Sequence, residues 1–139
     1  MPIDVRTIFC DDIRREDNGK MMLIGVYVDD LVPGAIPSSF PMSIWVSIKG
    51  ETIKKGALTV ELLLPGGGQV KMVGEIEELP ADVTTSFTFI GFPVEIKETG
   101  EIKVQLTFGD NKPIDAGRLT IRAPAESATN AELTKLAQT

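Results

Sequence analysis

The sequence predicts an all-β protein, an antiparallel β-sandwich of the immunoglobulin-like or Greek-key type. Apolar and polar residues alternate with period two in about eight short segments, which Gly, Pro, Asn and Asp separate. No long stretch has helical periodicity, and the sequence contains no internal repeat. Its 139 residues suffice for one compact domain with a sizeable core. A closed barrel is the alternative architecture.

The first two strands are predicted to form a hairpin around Asn18-Gly19, because a type I′ turn needs positive φ at both central residues. A two-residue loop places Arg14 opposite Leu23 and Cys10 opposite Tyr27. The core side in this register consists of Phe9, Ile13, Met22, Ile24 and Val26. The opposite face mixes aromatic, ionic and small side chains: Ile8, Cys10, Asp12, Arg14, Leu23, Gly25 and Tyr27.

Two residues near this hairpin leave alternatives open. Asp11 has the core phase, where an ionised carboxylate needs a charged partner or several N–H donors, unless it lies at the sheet margin. Trp45 lies between Ile44 and Val46, which have the core phase of their strand, so its ring is predicted to point outward. There it either contacts a partner or is covered by the Pro-rich stretch that precedes it.

The segment 31–41 contains three prolines and is predicted to be a long ordered loop, because proline has no N–H to donate to a strand ladder. Residues 58–64 and 70–77 alternate on either side of a Pro-Gly-Gly-Gly turn and predict a hairpin with one dry face. Residues 102–108 and 118–122 predict a second hairpin of this kind. Between the hairpins, the apolar phase changes at Gly91, which indicates a β-bulge or an edge crossing.

Residues 1–123 are predicted to form the sandwich domain and residues 124–139 a C-terminal tail. Asn130 is a suitable N-cap for a short helix in which Leu133, Leu136 and Ala137 share one face. Two helical turns are marginal in water unless something packs on them. The tail is therefore predicted to be frayed or to form this short helix.

Composition excludes several classes of function. The formal net charge of −6 is the opposite of the basic stripe that binds nucleic acid. Without His the chain has no Ser-His or Cys-His catalytic pair, and a single Cys allows no internal disulfide and no thiolate metal cluster. The sequence lacks a secretory signal and any apolar run long enough to span a membrane. Because Asn-x-Ser/Thr does not occur and a lone thiol is indifferent to redox compartment, we expect a cytoplasmic protein, with a virion or export by another route as the alternatives.

The first hairpin also carries a recognisable motif. It consists of Cys10-Asp11-Asp12-Ile13-Arg14, Gly19-Lys20 and Leu23-Ile24-Gly25-Val26-Tyr27, followed by Phe40-Pro41 and a strand around Trp45. With this motif the chain resembles, over roughly residues 5–122, a bacterial and prophage-associated family known as a domain of unknown function. The resemblance implies a small β-rich domain in a bacterial or phage-related context, without an assigned activity or assigned functional residues.

The sequence favours a non-enzymatic module that acts by protein–protein contact or in an assembly. The mixed hairpin face and the outward Trp provide the candidate binding residues Asp12, Arg14, Tyr27 and Trp45. Pairing of edge strands into a homo-oligomer is a variant of this hypothesis. No catalytic residue, metal ligand or cofactor is predicted, because Asp11 and Asp12 point to opposite faces and no imidazole base accompanies the Cys10 thiol.

The alternative function is a small-ligand or calcium-dependent binding β-sandwich similar to a C2 domain. Calcium prefers oxygen ligands, and such a site would use the loop acids Asp29, Asp30, Asp82, Asp110 and Asp115. These acids lack the dense Asp-x-Asp spacing that brings several oxygens to one ion. A hydrolytic enzyme is the weakest hypothesis, because no base, nucleophile and oxyanion donors can be assembled from the chain.

Overall fold

A computed structural model describes residues 3–124, which form two β-sheets packed face to face. The four-stranded sheet contains, in spatial order, β2 (Met21–Tyr27), β1 (Asp4–Arg15), β4 (Ser38–Lys49) and β7 (Thr85–Ile96). The five-stranded sheet contains β3 (Asp30–Leu31), β9 (Ile114–Ile121), β8 (Gly100–Phe108), β5 (Gly56–Leu63) and β6 (Gln69–Ile76). All pairings are antiparallel except the short parallel pairing of β3 with β9.

The predicted all-β sandwich is thus confirmed for the described part of the chain. The strands form two separate sheets, so the closed barrel that the sequence left as an alternative is not the observed architecture. No helix in residues 3–124 is long and apolar enough to cross a membrane. The predicted tail helix, with Asn130, Leu133, Leu136 and Ala137, lies outside the described residues.

The core fills the space between the inner faces of the two sheets. Fully buried side chains of the four-stranded sheet are Met42, Ile44, Val46, Val94 and Ile96. Those of the five-stranded sheet are Val60, Leu62, Ile102, Val104, Leu106, Leu119 and Ile121. Because these residues recur at every second position of their strands, each sheet turns one apolar face inward. The predicted hairpins β5–β6 and β8–β9 are both confirmed.

The segment 31–41 contains less loop than predicted. Leu31 belongs to β3, the irregular segment spans residues 32–37, and β4 already begins at Ser38. Pro41 is tolerated within β4 because it lies directly opposite Pro93 of β7. The two positions without an N–H donor therefore coincide at one rung of the ladder.

The predicted β-bulge in β7 is confirmed. The register shifts between the pairs Met42–Phe92 and Ile44–Phe89, so that Ser43 faces two residues of β7. The hydroxyl oxygen of Ser43 accepts the N–H of Gly91 at 3.0 Å, and the same hydroxyl donates to the carbonyl of Asp11 at 3.3 Å. The bulged amide of Gly91 is therefore satisfied by a side chain of the neighbouring strand.

The predicted register of the first hairpin is wrong by one residue. Glu16 N–H donates to the Lys20 carbonyl at 2.8 Å, so the loop contains three residues, Asp17, Asn18 and Gly19. Gly19 has φ +88°, the left-handed conformation that three-residue hairpin loops use. A slip of one residue moves every side chain of a strand to the other face.

This slip reverses the predicted faces of β2. Phe9 pairs with Tyr27 and Ile13 with Leu23, so Leu23 and Tyr27 turn toward the core side. Phe9 and Ile13 are buried as predicted. By contrast, three residues predicted to lie in the core lie on the outer face: Met22, Ile24 and Val26.

Candidate functional site

The outer face of the four-stranded sheet carries apolar side chains from β2 at one edge to β7 at the other edge. On β2 these residues keep 41–47 % of their surface exposed: Met22, Ile24 and Val26. Half-buried Ile8 of β1 and Trp45 of β4 lie side by side in the ladder, and Ile90 of β7 is 54 % exposed. We call the set of Ile8, Met22, Ile24, Val26, Trp45 and Ile90 the apolar face.

Trp45 has the outward orientation that the sequence predicts. It is placed between Ile8 of β1 and Thr88 of β7, on the opposite side of β4 from the fully buried Ile44 and Val46. The 32–37 loop, which the sequence offered as a cover for the ring, instead lines a groove beside Asp11. Trp45 therefore presents part of its ring within the apolar face.

An ion pair borders the apolar face on β1. Arg14 Nε donates to Asp12 Oδ2 at 2.7 Å, and Asp12 Oδ1 accepts the N–H of Ile13 at 2.9 Å. The hydrogen bond from Arg14 is the main reason why the pKa of the Asp12 carboxyl lies below its usual value. In the ladder Asp12 faces Ile24 and Arg14 faces Met22, so both charges lie beside the exposed apolar row.

Cys10 and Ser43 are paired at the centre of the same outer face, yet both are fully buried. Burial raises the pKa of the Cys10 thiol, and the negative charges of Asp11 and Asp12 raise it further. The thiol therefore stays protonated at neutral pH and has the character of a small packing group.

Tyr27 does not share a face with the other three predicted binding residues. The corrected register places it on the core side of β2, while Asp12, Arg14 and Trp45 lie on the outer face. The mixed face predicted for the first hairpin is therefore wrong in its membership. Its two halves belong to two different surfaces of the protein.

The Tyr27 hydroxyl donates a hydrogen bond to Asp11 Oδ1. Burial, followed by this bond to the Asp11 carboxylate and its charge, raises the pKa of Tyr27 to about 12. Gly25 has φ +69°, and a Cβ atom there would collide with the Asp11 carboxylate. Gly25 thus provides the space in which Asp11 and Tyr27 meet.

Asp11 and Tyr27 both line a groove with a volume of about 610 Å³. The groove lies between the first hairpin, the 32–37 loop and the beginning of β4. Its other lining residues are Leu31, Val32, Pro33, Gly34, Ala35, Ser38, Ser39, Phe40 and Pro41. Asp11 is exposed, although β1 is an inner strand of its sheet, so it is not the buried carboxylate that its core phase would require.

The loop acids that the sequence offered for calcium form no joint site in the described residues. The carboxylate of Asp30 is bound to Arg122, and that of Asp115 lies 3.6 Å from Arg118. Residues 3–124 contain no group of three or more His, Cys, Asp or Glu side chains placed to hold a metal ion. Their geometry therefore gives the calcium-dependent alternative no support.

Comparison with known protein families gives a match over most of the chain. The model of a family described as a family of unknown function (DUF6941) matches residues 6–129. The match includes the first hairpin, both surfaces described above and the last strand of the sandwich. A search of the curated proteins found no match.

Proposed function

The chain belongs to this family of unknown function, DUF6941, and we propose that it is a non-enzymatic assembly module that binds a second copy of itself through the apolar face. The observation that carries this proposal is the exposed row of Met22, Ile24 and Val26 on the edge strand β2, on the same outer face as Trp45 of β4. An antiparallel sheet with one face in water usually carries polar residues on that face. A row of exposed apolar residues on such a face indicates an interaction site instead.

The charges around the apolar face support a second copy as the occupant. The outward positions of β1 include two acids and two bases, arranged as the pairs Asp4–Arg6 and Asp12–Arg14. They contribute no net charge to this face, although the whole chain has a net charge of −6. In a two-fold contact each surface meets itself, so a neutral surface avoids like-charge repulsion between two acidic protomers.

The described side chains also support a non-enzymatic role. The Cys10 thiol is buried, the Asp12 carboxylate is held by Arg14, and one oxygen of Asp11 is held by Tyr27. None of these groups is paired with a general base in the part of the chain that the structure describes. The proposed setting, bacterial or phage-related and cytoplasmic or virion-associated, rests on the resemblance of the hairpin motif and on a sequence without an Asn-x-Ser/Thr glycosylation sequon.

Sedimentation velocity of the full chain over a concentration series tests the proposal. We expect a wild-type dimer that Ile24→Glu converts to a monomer, because the substitution places a carboxylate in the centre of a desolvated contact. Val73→Glu is the matched control, since Val73 is a 65 % exposed residue on the outer face of β6, an edge strand of the five-stranded sheet. It should leave the dimer intact.

Two results would overturn the proposal. A wild-type chain that remains monomeric at about 100 µM has no self-association of useful strength, and the apolar face would then need a different occupant. A dimer that persists in Ile24→Glu, with the variant folded by circular dichroism, would place the contact elsewhere on the surface.

A further inference from the structure

We propose that the groove between Tyr27 and Phe40 binds a small organic cation, an apolar molecule that carries one ammonium group, with the carboxylate of Asp11 as its counter-ion. This site is independent of the proposed self-association. Asp11 and Tyr27 project from the core side of the first hairpin, whereas the apolar face lies on its outer side.

The size and lining of the groove suit a small molecule. Its volume of about 610 Å³ lies within the range of small-molecule sites, roughly 300–1,000 Å³. Most of the wall is apolar and includes Leu31, Val32, Pro33 and Phe40. Such a wall gains free energy by burying a hydrocarbon body, while a few polar groups determine the orientation of the ligand.

Asp11 determines the sign of the ligand charge. It is the one charged residue among the described residues that line the groove. Its Oδ1 atom accepts the Tyr27 hydroxyl, and the residue is exposed at the groove. An ammonium group would replace water at this carboxylate with a charge-assisted hydrogen bond. The net charge of −6 favours the approach of a cation as well.

The carboxylate is held in position before any ligand arrives. Tyr27 fixes one of its oxygens, and Gly25 leaves the space that the group occupies. Because the pKa of Tyr27 is raised to about 12, its hydroxyl remains a donor throughout the physiological pH range. A prepositioned counter-ion reduces the entropy lost when a ligand binds.

Ser38 provides a second polar group in the wall of the groove. Its hydroxyl oxygen is buried and has no hydrogen-bond partner among the described residues. Unpaired buried hydroxyl groups are uncommon in native proteins and often have a functional explanation. A polar atom of the ligand close to Ser38 would provide the missing partner.

Amide NMR titration of the full chain with hexylamine at neutral pH tests this inference. Hexylamine is then a hexyl chain with one ammonium group, and hexanol and hexanoate are its neutral and anionic counterparts. We expect saturable shifts at Tyr27, Leu31 and Phe40 with hexylamine, and at least about fivefold weaker binding of the other two compounds.

Three variants separate the contribution of Asp11 from general effects. Asp11→Asn should weaken hexylamine binding at least about fivefold, because it removes the counter-ion. Asp110→Asn, an exposed acid in the β8–β9 turn, should leave the binding unchanged. Tyr27→Phe keeps the Asp11 charge and should therefore retain most of the preference for hexylamine over hexanol.

The inference fails if hexanol or hexanoate binds as tightly as hexylamine, or if Asp11→Asn binds hexylamine as the wild type does. It also fails if no resonance of the groove shifts in a saturable way. Groove shifts that depend on protein concentration without any ligand would assign the groove to a second copy of the chain. A dimer that persists in Ile24→Glu would leave this inference untouched, so the two proposals fail separately.

Discussion

The hairpins β1–β2 and β5–β6 each contain an edge strand and have the same architecture, but their outer faces differ in polarity. On β5–β6, Glu61 lies across from Lys71, and this face is largely polar. On β1–β2, Asp12 and Arg14 lie across from Ile24 and Met22, which are exposed and apolar. Both hairpins end a sheet, so edge position alone does not explain an apolar outer face. The difference supports our proposal that the outer face of β1–β2 is a contact surface.

The core sides of the two hairpins differ as well. β5 buries Leu58, Val60 and Leu62 in regular alternation. The corresponding side of β1–β2 ends in the Asp11–Tyr27 pair, beside a glycine with positive φ. The regular hairpin stabilises the sandwich, whereas the irregular one gives up apolar burial and forms the groove.

The largest difference between the hairpins should come from a glycine in each edge strand. Gly25→Ala places a Cβ at φ +69° and displaces the Asp11 carboxylate, so it should lower the free energy of unfolding by about 1–2 kcal/mol, mainly through the backbone conformation. Gly74→Ala in β6 meets no atom within 4 Å and should change it by less than about 0.5 kcal/mol. Urea unfolding of both variants measures the difference, and equal values would show that the first hairpin adapts without strain.

The next effect concerns association. Ile24→Thr should raise the dimer dissociation constant about tenfold, because each of the two copies loses apolar contact area at the interface. Val73→Thr removes the same kind of surface from β6 and should leave the constant unchanged. The emission of Trp45, the single Trp of the chain, follows the dissociation of both variants in a dilution series. A similar increase for both would remove the distinction between the two outer faces.

A smaller effect is expected on the titration of Tyr27. Asp11→Asn removes the hydrogen bond to a charged acceptor and should lower the pKa of Tyr27 from about 12 toward the ordinary value of 10. Because the pKa is raised in the folded protein, the wild type should lose stability as the pH rises from 10 through about 12, and the variant should lose less. Tyr27 is the single tyrosine, so tyrosinate absorbance reports on it alone. An unchanged pKa in Asp11→Asn would mean that burial accounts for the whole shift.

The smallest effect belongs to the exposed ion pair. The pKa of Asp12 is lowered in the folded protein, so its contribution to stability is present above the ordinary value of 3.8 and is lost as the pH falls through the folded pKa. Arg14→Gln should raise that pKa, as carboxyl NMR titration would show. Lys71→Gln, which removes a charge from the β5–β6 hairpin, should leave the pKa of Asp12 unchanged. A response to both substitutions would indicate a general charge effect in place of the specific bond.

The parts of the fold that the sequence predicts correctly are those in which polar residues mark the phase of a strand. In β5, Thr59 and Glu61 alternate with buried leucine and valine, and the hairpin follows directly. In β7 the phase change at Gly91 predicts the bulge. By contrast, β2 reads Met-Met-Leu-Ile-Gly-Val-Tyr, which is apolar in both phases, so only the turn determines its register.

The same ambiguity explains what the sequence misses at the two candidate surfaces. Asn18-Gly19 favours a two-residue turn, yet the chain closes a three-residue loop, and this exchanges the faces of Ile24 and Tyr27. The outward Trp45 is predicted correctly because buried neighbours in its own strand establish its phase. The groove cannot be predicted in this way. It forms where the 32–37 loop meets the first hairpin, and the alternation of residues within single strands does not show that these two segments come together.

The burial of Cys10 has a consequence for the kinetics of the molecule. Its thiol is the only one in the chain and has no exposed surface while β1 remains between β2 and β4. A thiol reagent can therefore react only during the intervals in which this part of the sheet is open. The labelling rate then measures how often β1 separates from its neighbours. Asp11, which lines the groove, and Asp12, which borders the apolar face, follow Cys10 directly in β1. Each opening of β1 therefore disrupts both surfaces as well, so the labelling rate also reports how long they stay intact.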